Sequence, residues 1–412
     1  MPTGPRRYII SSVTLLLVLA SGGVAQASES EQDLTSVVVG SSSRDASTLP
    51  PEDTQLLAEE LGVSEDEAVE RFRGQHEFLM ALTNAIESFP DRYSSSAWER
   101  SPTSRAWVAF TGEIDERILQ LFSDLPIPVD VRFGAAMTET EAEDTQREVI
   151  AEISAVEEVM RVAGDPHPVA GTISIRYELA AGVDPSEELL SVIQRAKAGY
   201  GDVQLDIATA DDPIIVDPEV LRGGAAVYLC TAGFTIRLLD TTPYRNGLLS
   251  AAHCPNAAGT PQDSSYTTTF RGQHAGSYGE VQKHSSNDPN PKNRVITART
   301  STSVTTRAVT SYVYPTTGQA ICNYGKTRTN SSCTTVRAVG KAFTADIDGT
   351  DIYISRMTQS NGSFTNGGDS GGPWYTSNSA VGIHFGKFDG YSTFSSVGHA
   401  QSILGVAVRT QP

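Results

Sequence analysis

Two short stretches of this chain carry the residue types that acyl-transfer chemistry needs. Gly368-Asp369-Ser370-Gly371-Gly372-Pro373 sets a serine hydroxyl among glycines, and Ala251-Ala252-His253-Cys254 sets an imidazole 117 residues upstream of it. A serine hydroxyl is a poor nucleophile at neutral pH until an adjacent base takes its proton. The reaction also needs backbone N–H donors aimed at the oxygen that turns negative as the carbonyl is attacked. Glycines beside Ser370 allow the tight turn that points Oγ outward and bares the N–H groups of Gly368 and Ser370. Taken alone, a serine in a glycine-rich loop is ordinarily only a turn. The histidine segment upstream changes that reading, since it supplies a candidate base for the serine. Of the seven histidines, His274, His284 and His399 have no comparable surroundings.

Together the two motifs resemble the chymotrypsin-like (trypsin-fold) serine peptidases, and more closely their secreted actinobacterial branch, the streptogrisin and alpha-lytic type. The resemblance implies a serine endopeptidase that hydrolyses protein or peptide substrates through an acyl-enzyme. Ser370 would be the nucleophile, His253 the base, and the N–H groups of Gly368 and Ser370 the oxyanion hole. Asp369 would be structural, setting the loop by pairing with a cation or with neighbouring backbone. No metal or organic cofactor is implied.

The third triad member is where the sequence departs from the family, which places an Asp before an apolar strand. The best register is Tyr278-Gly279-Glu280-Val281-Gln282-Lys283, with Glu280 in the acid position. A glutamate can hold an imidazole in the right tautomer, though its extra methylene calls for a backbone shift. Asp263 and Asp288 compete with it. Asp263 lies only ten residues past His253, and Asp288 precedes a proline, where an Asx-turn is the plainer explanation.

The same resemblance gives Gly382-Ile383-His384-Phe385-Gly386 as the strand that pairs with extended substrate, a form of β-augmentation. His384 then either lines the cleft or is a polar side chain on a strand. Phe364, six residues before the serine, stands where the trypsin branch has the Asp that binds Arg or Lys. A pocket without a buried charge disfavours cationic side chains, so cleavage after medium apolar residues is expected. Asp346–Asp351 has a faint calcium-loop look but lacks the remaining ligands, and reads as a turn.

Charge divides the chain. Residues 28–221 hold 40 acidic against 13 basic residues, and residues 222–412 hold 9 against 16. An acidic half is therefore joined to a basic half, and the two should attract each other at low ionic strength. The basic residues are scattered, which argues against a nucleic-acid partner. At the N-terminus, Arg6 and Arg7, the apolar run to Ala20 and Ala25-Gln26-Ala27 read as an export signal spanning residues 1–27, cleaved after Ala27. That run is too short to span a membrane. Secretion and no membrane attachment after signal removal are expected, with a monomeric product.

All four cysteines, Cys230, Cys254, Cys322 and Cys333, lie in the basic half, and an even count in an exported protein argues for two disulfides. Family resemblance selects Cys230–Cys254 and Cys322–Cys333. Zinc is disfavoured because no C-x-x-C pair is present.

Around these motifs the pattern sorts into two regions. Residues 28–50 read as a mobile leader and residues 51–90 as helical, with Ser64 and Glu67 as a capping box. Between 105 and 210, strand-like runs at Trp107–Thr111, Val129–Phe133, Thr172–Tyr177 and Val203–Ile207 alternate with helical stretches. These are Ile114–Phe122, Glu139–Val162 and Glu187–Lys197, an α+β module of β-α-β type. From residue 222 onward, short β-branched and aromatic runs separated by turns mean an all-β domain, with a helix over Gly398–Val408. The resemblance implies two six-stranded antiparallel barrels there, ending in a helix, with no binding module after it. It also makes residues 28–221 a pro-region that assists folding of the catalytic domain and occupies its cleft until removed. Maturation is expected after Val220 or Leu221, ahead of Gly223-Gly224. Two rival readings are a trypsin-fold pseudoprotease that only binds, and a serine esterase.

Overall fold

A computed structural model describes residues 34–411 apart from 44, 100–104, 181, 201–202, 211–215, 219–226, 228–229, 258–259, 262–265, 300–302 and 348. The expected export signal (1–27) and its cleavage site, Asp263 and the expected maturation junction at Val220–Gly224 lie outside the described residues.

In the acidic half, helices Pro51–Leu61, Glu65–Phe72 and Gln75–Ser88 bury Leu57, Phe72, Phe78, Leu79 and Leu82. Ser64 Oγ caps the second helix by accepting from Glu67 N at 3.2 Å. The helices lie with a four-stranded sheet ordered Thr35–Val39, Val129–Ala135, Ala106–Thr111, Tyr93–Ala97. Two β-α-β crossovers follow the alternation in the sequence. Ala106–Thr111 leads through helix Glu116–Ser123 to the parallel strand Val129–Ala135. Thr172–Leu179 leads through helix Glu187–Gly199 to the parallel strand Gln204–Thr209.

Three local expectations are corrected. The leader is not structureless, because Thr35–Val39 pairs antiparallel with Val129–Phe133, where three consecutive valines suit a strand. The helix from Glu139 stops at Ser154, and Val159–His167 is a strand. It gains a hairpin partner in Thr172–Leu179, and that tertiary pairing overrides the local pattern. The C-terminal helix is Val397–Leu404; Gly405 ends it in the left-handed conformation, and Val406–Val408 pairs with Thr235–Leu238.

The C-terminal part is all-β apart from that helix. A five-stranded sheet runs Thr268–Gly276, Gly279–Ser286, Arg245–Ser250, Thr235–Leu238, Val406–Val408, with Arg294–Arg299 and Val304–Ala308 as a separate hairpin. A second set closes on itself: Ala320–Asn323, Pro373–Thr376, Ser379–Phe388, Tyr391–Ser396, Thr350–Ser360 and Ser332–Ile347, the last pairing back with the first. Trp374, Phe385 and Phe394 are fully buried in it.

The halves meet edge to edge and side chain to side chain. Ala342 and Phe343 of the closed set pair with Gly164 and Ala163, carrying the sheet on into the acidic half. Gln75 reads the Ala320 backbone both ways, accepting from its N–H at 2.7 Å and donating to its carbonyl at 3.2 Å. Arg307 pairs with Asp53 and Glu52, Arg356 with Glu139, and Lys341 with Asp165. The charge asymmetry of the sequence is thus expressed as ion pairs across one interface.

Candidate active site

His253 follows strand Arg245–Ser250 on a turn whose neighbours Ala251 and Ala252 are fully buried. The Cys230–Cys254 disulfide ties this turn to the preceding segment, and Cys322–Cys333 joins two paired strands. Glu280 is the second residue of strand Gly279–Ser286, entered through Tyr278 and Gly279, both with positive φ. A side chain at position 279 would meet Ser395 Oγ at 2.7 Å, so glycine is needed there.

Glu280 is completely buried, and one of its oxygens serves the histidine twice. Oε1 accepts from the His253 backbone N–H and lies 3.0 Å from Nδ1. A neutral imidazole that donates through Nδ1 has Nε2 as its acceptor, the atom that can take a hydroxyl proton. The His253 ring stands edge-on to Phe385, 5.5 Å between centroids.

Ser370 sits in the loop ahead of strand Pro373–Thr376, and its Oγ donates to the Phe385 carbonyl at 3.3 Å. Thr231, absent from any sequence motif, forms the bed of this loop. Its N–H donates to Ser370 O and its hydroxyl to Gly368 O, both at 2.8 Å. The Asp369 carbonyl accepts from Gly372 N at 2.9 Å. In a trans peptide the N–H points opposite to the carbonyl, so with that carbonyl turned inward the Ser370 N–H faces the other way. Gly371 has φ +81°, and a side chain on it would strike Ser250 Oγ and the Thr231 carbonyl.

Asp369 is buried beneath the loop. Its Oδ1 accepts from Thr327 N at 3.0 Å and Thr327 Oγ1 at 2.8 Å, its Oδ2 from Asn366 N at 3.0 Å, and Arg328 Nε lies 3.4 Å from Oδ2. Such partners hold a carboxylate in one orientation, away from the histidine that Glu280 already occupies.

Asp288 is elsewhere: its Oδ1 accepts from Asn290 N at 2.8 Å in an Asx-turn. Strand Ser379–Phe388 runs directly beneath the serine loop, since His384 N donates to Gly372 O and His384 O accepts from Gly371 N. Ile383, His384 and Phe385 are fully buried there, and His384 Nδ1 accepts from Trp374 Nε1 at 3.3 Å. Gly386 pairs with Pro218, so that strand Val216–Pro218 of the acidic half lies antiparallel along Gly386–Phe388. Phe364 packs between Trp374, 5.8 Å away, and the Arg328 guanidinium.

One cluster of potential metal-ligand atoms occurs among the described residues, Asp53 with Cys322 and Cys333. Both sulfurs are committed to the disulfide and Asp53 to Arg307. Burial pushes His284 down to about 4, and burial with Arg356 pushes His399 down to about 3, leaving both rings neutral at pH 7. Thr231, Ser395, Lys326 and Arg328 gave no local signal, because each acts through contacts more than 30 residues away in sequence.

Residues 241–403 match the Trypsin family model, so the C-terminal part of the chain carries a trypsin-type domain. Among solved structures, the chain is similar to the Nocardiopsis protease (18% identity, 46% of this chain and 99% of that one, TM-score 0.37). It is similar also to Thermobifida fusca protease A (21% identity, 47% and 98%, TM-score 0.36). A third is Cellulomonas bogoriensis chymotrypsin (21% identity, 44% and 91%, TM-score 0.34). No curated protein matches the chain.

Proposed function

We propose that the protein is a secreted serine endopeptidase, made with an export signal (1–27) and an acidic pro-region (28–221) ahead of a two-barrel peptidase domain (222–412). The observation that carries the reading is the buried Glu280 oxygen held by both N–H groups of His253, beside the Ser370 loop. A pseudoprotease that only binds would need Glu280 to anchor the His253 turn but would have no use for its contact with Nδ1.

In this mechanism His253 Nε2 removes the Ser370 proton as Oγ attacks the scissile carbonyl. The oxygen that becomes negative is held by Gly368 N–H and Ser370 N–H. The tetrahedral adduct collapses as His253 returns the proton to the leaving amine, giving an acyl-enzyme and a free amine terminus. Water then attacks with His253 as base again, releasing the acid and restoring Ser370. Glu280 keeps Nδ1 protonated and stabilises the imidazolium that each step forms.

The strand Val216–Pro218 along Gly386–Phe388 supports the pro-region assignment, because at Gly386 it reaches the end of the Gly382–Gly386 run with which extended substrate is expected to pair. In the precursor the serine hydroxyl rests on the Phe385 carbonyl.

Fluorophosphonate labelling tests the reading: the wild-type chain should be labelled at Ser370 and should digest casein, and Ser370→Ala should do neither. Labelling with ester hydrolysis but no casein cleavage would point instead to an esterase.

A further inference from the structure

Gly368, with φ +102°, has no room for a side chain, and the reason lies in a neighbour from another segment. A Cβ on Gly368 would meet Lys326 Cε at 2.7 Å and lie 3.5 Å from Lys326 Nζ. The lysine stem therefore crosses the loop where a side chain would be. Adding a bond of about 1.5 Å keeps the ammonium within about 5 Å of the Gly368 Cα. The root of the side chain is fixed to the same loop. Lys326 N donates at 3.1 Å to Thr231 Oγ1, the hydroxyl that itself donates to Gly368 O. The next two residues, Thr327 and Arg328, hold Asp369. Three consecutive residues thus grip two adjacent positions of one loop, Gly368 and Asp369.

We propose that Lys326 is an electrostatic partner of the oxyanion hole, its ammonium lying beside Gly368 and favouring the negative oxygen without contacting the substrate. The inference rests on the reading of Ser370 as nucleophile. A half-buried charge is poorly screened, so it acts over several ångströms far more strongly than an exposed one. The facing groups are Asp369, Thr231, Thr327 and Arg328 of the loop bed, with Arg299 and Tyr324 on the cavity of about 250 Å³ that Lys326 also lines. Burial lowers the lysine's pKa from its ordinary value, and Asp369 opposes that shift. The ammonium therefore gives up its proton more readily than a solvated lysine does.

The test uses the full chain, secreted and processed, with active serines counted by fluorophosphonate so that misfolded protein is excluded. Lys326→Met keeps the stem and removes the charge. It should lower kcat by about tenfold to thirtyfold with KM within about twofold, and weaken a peptide boronate, which mimics the tetrahedral adduct, by a similar factor. Lys326→Arg should restore kcat to within about threefold and shift the alkaline limb of the kcat profile upward. Lys326→Gln is the second neutral variant and should behave as Lys326→Met does. Neutral variants with kcat within twofold of wild type, a loss confined to KM, or an Arg variant no better than Met would overturn the proposal. Ser370→Ala is run alongside. Turnover persisting there would overturn the serine-peptidase reading itself, whereas an inert Ser370→Ala with undiminished neutral variants would overturn only the role of Lys326.

Discussion

Ser395 Oγ closes on Glu280 from both sides, accepting from its backbone N–H at 2.9 Å and donating to its carbonyl at 3.1 Å across 115 residues of sequence. The strand that delivers the buried carboxylate is thereby fixed from a different sheet. The carboxylate grip itself is lopsided. Oε1 serves both His253 groups, while Oε2 is buried with no hydrogen-bond partner among the described residues.

Glu280→Gln should therefore lower kcat by about a hundredfold or more, since an amide can present the wrong group to Nδ1 and leaves the imidazolium unpaired. Asp288→Asn, whose carboxylate only closes a turn, should stay within about threefold, and so should Asp263→Asn. Steady-state kinetics on one peptide substrate decide it. A silent Glu280→Gln with a crippled Asp variant would move the acid elsewhere.

Ser395→Ala removes a side-chain partner from two buried backbone groups. Lost hydrogen bonds of this kind destabilise a fold by about 1–3 kcal/mol. The variant should unfold at lower denaturant concentration and turn over about five- to tenfold more slowly, measured by urea titration and kcat on the same preparation.

Ser370→Ala should accumulate as an unprocessed precursor if maturation is autocatalytic. N-terminal sequencing of the secreted product checks this: the wild type should begin close to Arg222, and a normally trimmed Ser370→Ala would show that another peptidase matures the chain.

The interface between the halves should respond to pH with a definite sign. Burial raises the pKa of Asp53, which faces Arg307, Glu52 and Tyr375, and of Glu143, which faces Ser355, Arg356, Arg147, Glu139 and Tyr353. A carboxyl whose pKa is higher in the docked state stabilises docking fully below its ordinary value, near 4, and loses that contribution as pH rises through the elevated one. In the Ser370→Ala precursor, the melting temperature should fall across this window, and Asp53→Asn with Glu143→Gln should flatten the slope. A slope of the opposite sign would refute the assignment.

A peptide-library profile of the mature enzyme should show cleavage after medium apolar residues, little after Lys or Arg, and no inhibition by benzamidine. Phe364, packed against Trp374 and Arg328, offers no carboxylate to a cationic side chain. A profile dominated by Arg and Lys would remove Phe364 from the pocket.

Much of this was legible in the residues, for identifiable reasons. His253 and Ser370 stand in local contexts that make their chemistry readable, and the β-α-β alternation of the acidic half follows from periodicity. Glu280 emerged only by register against a family pattern, because a lone glutamate before a valine has no spacing of its own. The strand Val159–His167 was hidden inside a helical pattern because its stability comes from Thr172–Leu179 and from Phe343 across the interface. Thr231, Ser395 and Lys326 were invisible for the same reason. Each contributes through partners far along the chain, and no local composition encodes such contacts.

Besides the Val216–Pro218 pairing, the closed barrel-like set meets the acidic half along a short seam of two register pairs, Ala342 with Gly164 and Phe343 with Ala163. On the seam edge of Ser332–Ile347, Lys341 places a charge, paired there with Asp165. Such features discourage a bare strand edge from recruiting other chains. The same seam can therefore act as a tear line. Its hydrogen bonds can be loaded one after another, as in a zipper, and the edge it exposes is already blunted against gluing two molecules together.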